Sequence, residues 1–268
     1  MKQIIFSLTA ILLLSIAACK KDEKTVQCRL VSRVAGPDSA VITYDAQGRV
    51  TAYELPSQAV YTFSYTSGLT AQCVVSIPGD PAYTTYSIFL NSNGTVSSMN
   101  NSVMISGSNY TYYYSFNYNA DGRIIRCDQR AEGPGSASIK LDSMVYQNGS
   151  IVKQLTYYAT ATTGPYTLQE YSVCSSTDKP NHIGYHAFSY YEEPVSLLSG
   201  FYPFYHLFGK GSDKLPAETS FYSASGTLNY KMSYNYLFDE QENVQEMNIS
   251  RTIFAPSTEN RRFYYNCE

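Results

Sequence analysis

Five times along the chain a glycine is followed, two residues on, by a branched aliphatic: Gly48-Arg49-Val50, Gly94-Thr95-Val96, Gly122-Arg123-Ile124, Gly149-Ser150-Ile151 and Gly226-Thr227-Leu228. Short polar residues precede each glycine, as in Asp45 to Gln47 or Asn119 to Asp121. Asp and Asn side chains bond their own backbone, and glycine accepts positive φ without a Cβ clash. The pattern therefore predicts a type I turn followed by a glycine bulge, and Asn148-Gly149 suits the tighter two-residue form. Gly68-Leu69 is a degenerate copy, and Gln241-Glu242-Asn243-Val244 reads as another with asparagine in the glycine's place. A chain punctuated in this way is committed to hairpins. "YDAQGRVTAY" is thus a corner of the backbone and not a ligand loop.

Strand alternation fills the intervals. Tyr110, Tyr112, Tyr114, Phe116 and Tyr118 share one face of "YTYYYSFNY", and Leu228, Tyr230, Met232, Tyr234, Tyr236 and Phe238 share one face of "LNYKMSYNYLF". Period two over such lengths indicates half-buried antiparallel strands. From Gly48 to Gly149 the glycines fall about 20 to 30 residues apart, room for two strands each. The expected fold is all-β: an antiparallel β-meander of repeated hairpins forming one large curved sheet or open barrel. Residues 178–217 break the rhythm, because Pro180, Pro194, Pro203 and Pro216 exclude an ordinary central strand. The spacing of Leu197, Leu198, Phe201, Tyr205 and Phe208 predicts a short, partly helical insertion near 180–216, plugging the same domain. The organisation expected is a signal peptide over 1–18, a tether over 19–27 and a single β domain over 28–268.

Lys2, the apolar run Ile4 to Ile16 and the small residues before Cys19 have the layout of a cleaved secretory signal. The cysteine at the cleavage point resembles the lipobox of bacterial lipoproteins, which makes Cys19 the acylated first residue. Removing residues 1 to 18 takes away Lys2 alone among the charges, so the formal balance of -3 becomes -4. No basic run suggests nucleic acid. The remaining cysteines, Cys28, Cys73, Cys127, Cys174 and Cys267, are odd in number, so they cannot all pair within the chain. Cys28 and Cys267 could clip the two ends together; buried free thiols are the preferred reading for the set.

Chemistry-bearing constellations are sparse. His182 and His186 share a face if helical, which suits a metal, but in an extended strand they lie about 13 Å apart. They are the weak candidates for a site otherwise expected to hold no metal and no cofactor. Glu192 and Glu193 are the carboxylates a carbohydrate-active hydrolase would use. No nucleophile elbow, HExxH, Walker loop or GxGxxG is present. The chain has 27 tyrosines and no tryptophan. Tyrosine suits both packing in strands and stacking at wet interfaces. The aromatic clusters beside the insertion, Tyr190, Tyr191, Phe201, Tyr202, Phe204 and Tyr205, form the candidate binding surface.

The tyrosine-rich hairpins over most of residues 40 to 250 resemble YD/Rhs-type repeats, and in particular uncharacterised Bacteroidota lipoproteins that carry such hairpins behind a lipobox. Tyr44-Asp45 shows the Tyr-Asp pair outright. Lys21-Asp22-Glu23 resembles the export signal of surface lipoproteins in that group. The resemblance implies an outer-membrane, lipid-anchored protein on the periplasmic or cell-surface side. Its expected role is non-enzymatic, with a glycan or another surface protein as partner; the alternative is the hydrolase.

Overall fold

The computed structural model describes residues 28–267 except 36–37, 56–57, 106, 135, 160–163, 182–198 and 253–255. Sixteen strands run in chain order: β1 Cys28–Ala35, β2 Asp38–Tyr44, β3 Val50–Leu55, β4 Ala59–Ser67, β5 Thr70–Ile77, β6 Asp80–Leu90, β7 Val96–Ile105 and β8 Ser108–Tyr118. Then follow β9 Ile124–Gly133, β10 Ser136–Gln147, β11 Ser150–Ala159, β12 Thr167–Pro180, β13 Lys214–Ser223, β14 Leu228–Phe238, β15 Val244–Thr252 and β16 Ser257–Cys267. Every strand pairs with its sequence neighbours, and β1 pairs with β16, so the meander closes. The open sheet expected from the sequence is corrected to a closed barrel. Closure removes the two long edges that an open meander would leave exposed.

The chain divides into two compact units. Leu30–Tyr265 is the barrel; the other unit contains Cys28 and Cys267, which form a disulfide. Cys73 and Cys127 are buried free thiols and Cys174 is a partly exposed one.

The repeat turns share one geometry. At Asp45–Arg49, Asn91–Thr95, Asn119–Arg123, Ser223–Thr227 and Asp239–Asn243, the first residue's N–H donates to the fifth carbonyl and the fourth N–H donates to the first carbonyl. Asp45, Asn119 and Asp239 each accept two further backbone N–H bonds on Oδ1. In the last copy Glu242, not Asn243, takes the glycine's place, at φ 62°. The copy therefore tolerates a strained residue where the others use glycine. Asn148 and Gly149 both have positive φ and close the two-residue turn.

A second periodic device accompanies the turns. Among the described residues, six tyrosine hydroxyls donate to a carbonyl on the preceding strand: Tyr44 to Leu30, Tyr65 to Val50, Tyr118 to Val96, Tyr146 to Ile124, Tyr236 to Pro216 and Tyr265 to Val244. In every case the tyrosine lies three residues past the last residue of its strand that pairs with the preceding strand, and the acceptor lies two residues before that residue's partner. Each hydroxyl thus continues a ladder where the backbone pairing stops. A buried carbonyl there needs a donor, and the phenol supplies one across the gap.

Side chains alternate between two unlike faces. Tyr53, Phe63, Cys73, Ile88, Met99, Phe116, Ile124, Met232, Met247 and Ile249 point inward and are buried. Outward positions mix exposed apolar side chains, among them Val41, Phe89, Met104 and Val173, with Ser, Thr, Asn and ion pairs: Arg126–Asp128 and Arg130–Glu132 on β9, and Lys231–Glu218 across β14 and β13. Lys153 lies 4.7 Å over the Tyr171 ring on the same side.

After β12, a 3₁₀ segment, Ser199–Leu207, enters the interior at the end that carries the turns Asp45–Arg49, Asn91–Thr95, Asn119–Arg123 and Asp239–Asn243; the Ser223–Thr227 turn lies at the other end. Phe204 is fully buried, edge-on to Phe63 at 5.4 Å and to Tyr86 at 4.9 Å. Phe208 packs on Phe116 at 5.2 Å. The chain leaving this plug is bolted to two turns. Arg123, 2 % exposed, donates from Nη2 to Asp213 (2.6 Å), from Nη1 to Asp121 (2.8 Å) and from Nε to the Gly211 carbonyl (3.2 Å). Lys210 N–H donates to the Gly122 carbonyl, and Asp213 N–H to that of Gly149. A Cβ on Gly149 would overlap the Asp213 carboxylate, so the close approach requires glycine. Arg123→Ala removes a buried fork while Asp121 and Asp213 remain partly solvated. We expect a loss of about 3 kcal/mol, less than for a fully buried pair, and a Tm lower by roughly 6–12 °C. Limited proteolysis should then cut within 199–213 under conditions where the parent chain is intact.

Candidate functional site

The plug and the repeat turns enclose a pocket of about 370 Å³. Its apolar walls are Val50, Leu90 and Leu207, and its polar groups come from Arg49, Tyr65 and His206. The turn geometry places Arg49: its Nε donates to Asp45 Oδ2 at 2.8 Å, and its guanidinium lies 4.3 Å over the Tyr65 ring. Tyr65 is held by its tether to Val50 and stands 3.1 Å from His206 Nε2. His206 in turn meets Phe63 edge-on at 4.9 Å.

Burial drives the His206 pKa down to about 3, against a smaller opposing effect of the Pro203 backbone. The imidazole is therefore neutral at physiological pH. Burial also pushes Tyr65 up to about 12, a rise that the nearby Arg49 cation tempers. Together these groups offer a ring-sized apolar floor, a neutral hydrogen-bonding edge and a guanidinium at the rim. Pockets of this size and makeup are typical of small-molecule sites.

His206 has a consequence for stability. The unfolded chain binds a proton near pH 6.5 that the folded chain refuses until about pH 3. Stability contributed by the neutral ring is full above about pH 6.5 and is lost as pH falls towards 3. Unfolding midpoints should drop between pH 6.5 and 4.5, and His206→Gln should flatten that part of the profile.

Of the sequence-derived candidates, Phe204 is core, and Tyr205 is half-buried with its hydroxyl 3.5 Å from that of Tyr44, a pocket residue. Phe201 and Tyr202 belong to the backbone of the 3₁₀ segment. Tyr190, Tyr191, His182, His186, Glu192, Glu193 and Cys19 lie outside the described residues. No group of three or more potential metal ligands occurs among the described residues. Sequence reasoning missed His206 and Arg49 as partners. The one available signal was a lone histidine inside the apolar run "FYPFYHLF", which favours a buried, neutral ring.

No family model matches the chain, and no curated protein does. Solved structures do match. A porin-like protein from Bacteroides vulgatus ATCC 8482 aligns with a TM-score of 0.61 at 11% identity, covering 90% of this chain and 99% of that one. A porin-like protein from Bacteroides uniformis ATCC 8492 gives 0.62 at 15%, covering 90% and 96%. At these identities the likeness is one of fold, and the fold of this chain is a closed antiparallel barrel of the kind seen in those porin-like proteins.

Proposed function

We propose that this chain is a Bacteroidota cell-envelope lipoprotein, anchored in the outer membrane through acylated Cys19, with a non-enzymatic binding role. The observation that carries this reading is the arrangement of the two barrel faces. A membrane-spanning barrel turns an apolar band outward and keeps polar residues inside. Here Arg126, Asp128, Lys231 and Glu218 point outward from the strands, while Phe63, Ile88, Met99 and Phe116 point in. Each Arg or Lys facing lipid near the midplane would cost about 2–4 kcal/mol. The porin-like scaffold therefore serves as a water-facing body, and a lipid anchor accounts for its attachment.

The pocket at the turn end is the binding element in this reading. Its floor accepts a ring from a glycan or from a surface protein, and Arg49 meets an acceptor group on that partner. Retention on immobilised envelope polysaccharides and surface proteins tests it. Binding should be saturable and weaken at least tenfold in Arg49→Ala and in Leu90→Trp, which fills the pocket. Binding indifferent to both changes, or none to either class, would overturn the proposal.

A further inference from the structure

The outer wall of β7 to β10 carries a second cleft, of about 380 Å³, that shares no residue with the Arg49 pocket. Two successive rungs of the ladder build it. Asn100, Tyr113, Arg130 and Ile139 are register partners across the four strands, and Ser98, Ser115 and Asp128 form the next rung. These positions alternate with the buried, inward Met99, Tyr114, Gln129 and Lys140, so their side chains stand on the outer face. Three strand spacings make the longer rung about 14 Å across. Tyr166, one residue ahead of β12, completes the lining.

The groups lining the cleft divide into those already matched and those that are not. The charges are neutralised in pairs: Asp128 accepts two hydrogen bonds from Arg126, at 2.7 and 2.6 Å, and Arg130 pairs with Glu132. Ser98, Asn100 and Ser115 make no side-chain hydrogen bond among the described residues, and neither Tyr113 nor Tyr166 packs its ring on another ring there. Among those residues the exposed tyrosines are Tyr83, Tyr113, Tyr166 and Tyr264, and two of them line this one cleft. A ring left in water forgoes the area burial that rings obtain in the core.

Paired charges, unused hydroxyl and amide groups and two bare aromatic rings suit an uncharged partner rich in hydroxyls. A sugar ring has C–H groups on its faces, which lie well on tyrosine, and hydroxyls around its rim. Serine hydroxyls and the asparagine amide both donate and accept, so each matches a sugar hydroxyl in either sense. An acidic sugar would meet Asp128 and Glu132 as closely as Arg126 and Arg130, and would gain little net attraction. We propose that this outer-wall cleft binds a short neutral oligosaccharide, with Tyr113 and Tyr166 on its ring faces and Ser98, Asn100 and Ser115 on its hydroxyls. The volume lies in the range of small-molecule sites. A solute reaches the cleft because the outer wall meets water, so the inference rests on that part of the proposed function and not on the Arg49 pocket.

Calorimetric titration of the disulfide-bonded chain with maltotetraose, cellotetraose, mannotetraose and chitotetraose tests the proposal. At least one should bind saturably, with an affinity indifferent to salt, and should weaken about tenfold or more in Tyr113→Ala and in Tyr166→Ala. Both side chains are exposed, so each variant should keep the parent melting temperature. Tyr113→Phe, which retains the ring, should bind as the parent does, and so should Arg49→Ala. Absence of saturable binding to all four sugars would overturn the proposal, as would binding that both alanine variants leave unchanged. Tighter, salt-sensitive binding of tetragalacturonate would also overturn it, because charge would then be the recognised feature. The failures are separable: detergent uptake by the chain would remove the water-facing wall itself, whereas missing sugar binding in a chain that takes up no detergent removes this site alone.

Discussion

Replacing the six tethering tyrosines, Tyr44, Tyr65, Tyr118, Tyr146, Tyr236 and Tyr265, with phenylalanine is expected to remove most of the stability of the barrel. The rings stay, so the apolar packing is preserved and only the hydroxyl is lost. Each removal forfeits a net hydrogen bond of about 1 kcal/mol and leaves a carbonyl at a ladder end without its donor. The sites sit on different strands, so the losses should be close to additive. Six together amount to roughly 6–10 kcal/mol, against a typical total of about 5–15 kcal/mol for a folded domain. Urea unfolding of the single variants should show decrements of about 1 kcal/mol each. Tyr113→Phe, on the outward face, should be neutral. A six-fold variant that loses less than about 2 kcal/mol would show that the tethers are incidental.

Alkaline pH should unfold the protein abruptly. Burial raises the pKa of Tyr61, Tyr65, Tyr86, Tyr114, Tyr118, Tyr146, Tyr158, Tyr234 and Tyr236, with Tyr65 and Tyr146 at about 12. Their unfolded values lie near 10. Below that pH both states hold the protons and stability is full. Above it the unfolded chain releases protons that the folded chain retains, so stability falls as pH rises. Each such tyrosine contributes about 1.4 kcal/mol per pH unit, and several acting together exhaust a domain's stability within about one unit. Tyrosinate absorbance and far-ultraviolet dichroism should therefore change together, in one steep step near pH 11. A gradual tyrosinate titration centred near pH 10, with the β signal intact, would contradict the burial of these rings.

Local chemistry carried much of this fold. The turns follow from Asp45, Asn119 and their glycines, and the strands follow from alternation, because both depend on residues close in sequence. Closure does not: the pairing of β1 with β16 joins opposite ends of the chain and leaves no short-range mark. Arg49 and Arg123 show the same limit at single-residue scale. Both follow the repeat glycine, yet one stacks on Tyr65 at the pocket rim and the other is buried holding Asp213. What differs is the tertiary neighbour, the 209–213 segment, which arrives from a distant part of the chain. In "SIKLDSM" Lys140 and Asp142 alternate with Ile139 and Leu141, and the structure buries Lys140 and Asp142 as well as Leu141, which the alternation alone does not indicate. The tyrosine tethers were visible in composition but not in purpose, because only the strand register shows that each hydroxyl falls just beyond a ladder's end.

The barrel's inner face holds its packed core, and its outer face carries charged pairs that should meet water. Sedimentation of the chain lacking residues 1–19, oxidised and free of detergent, tests this most directly. The prediction is a folded, soluble β protein that gains no bound detergent when micelles are added. A chain that aggregates in buffer and folds only in micelles or bilayers would show that the outward face meets lipid, and would contradict the account.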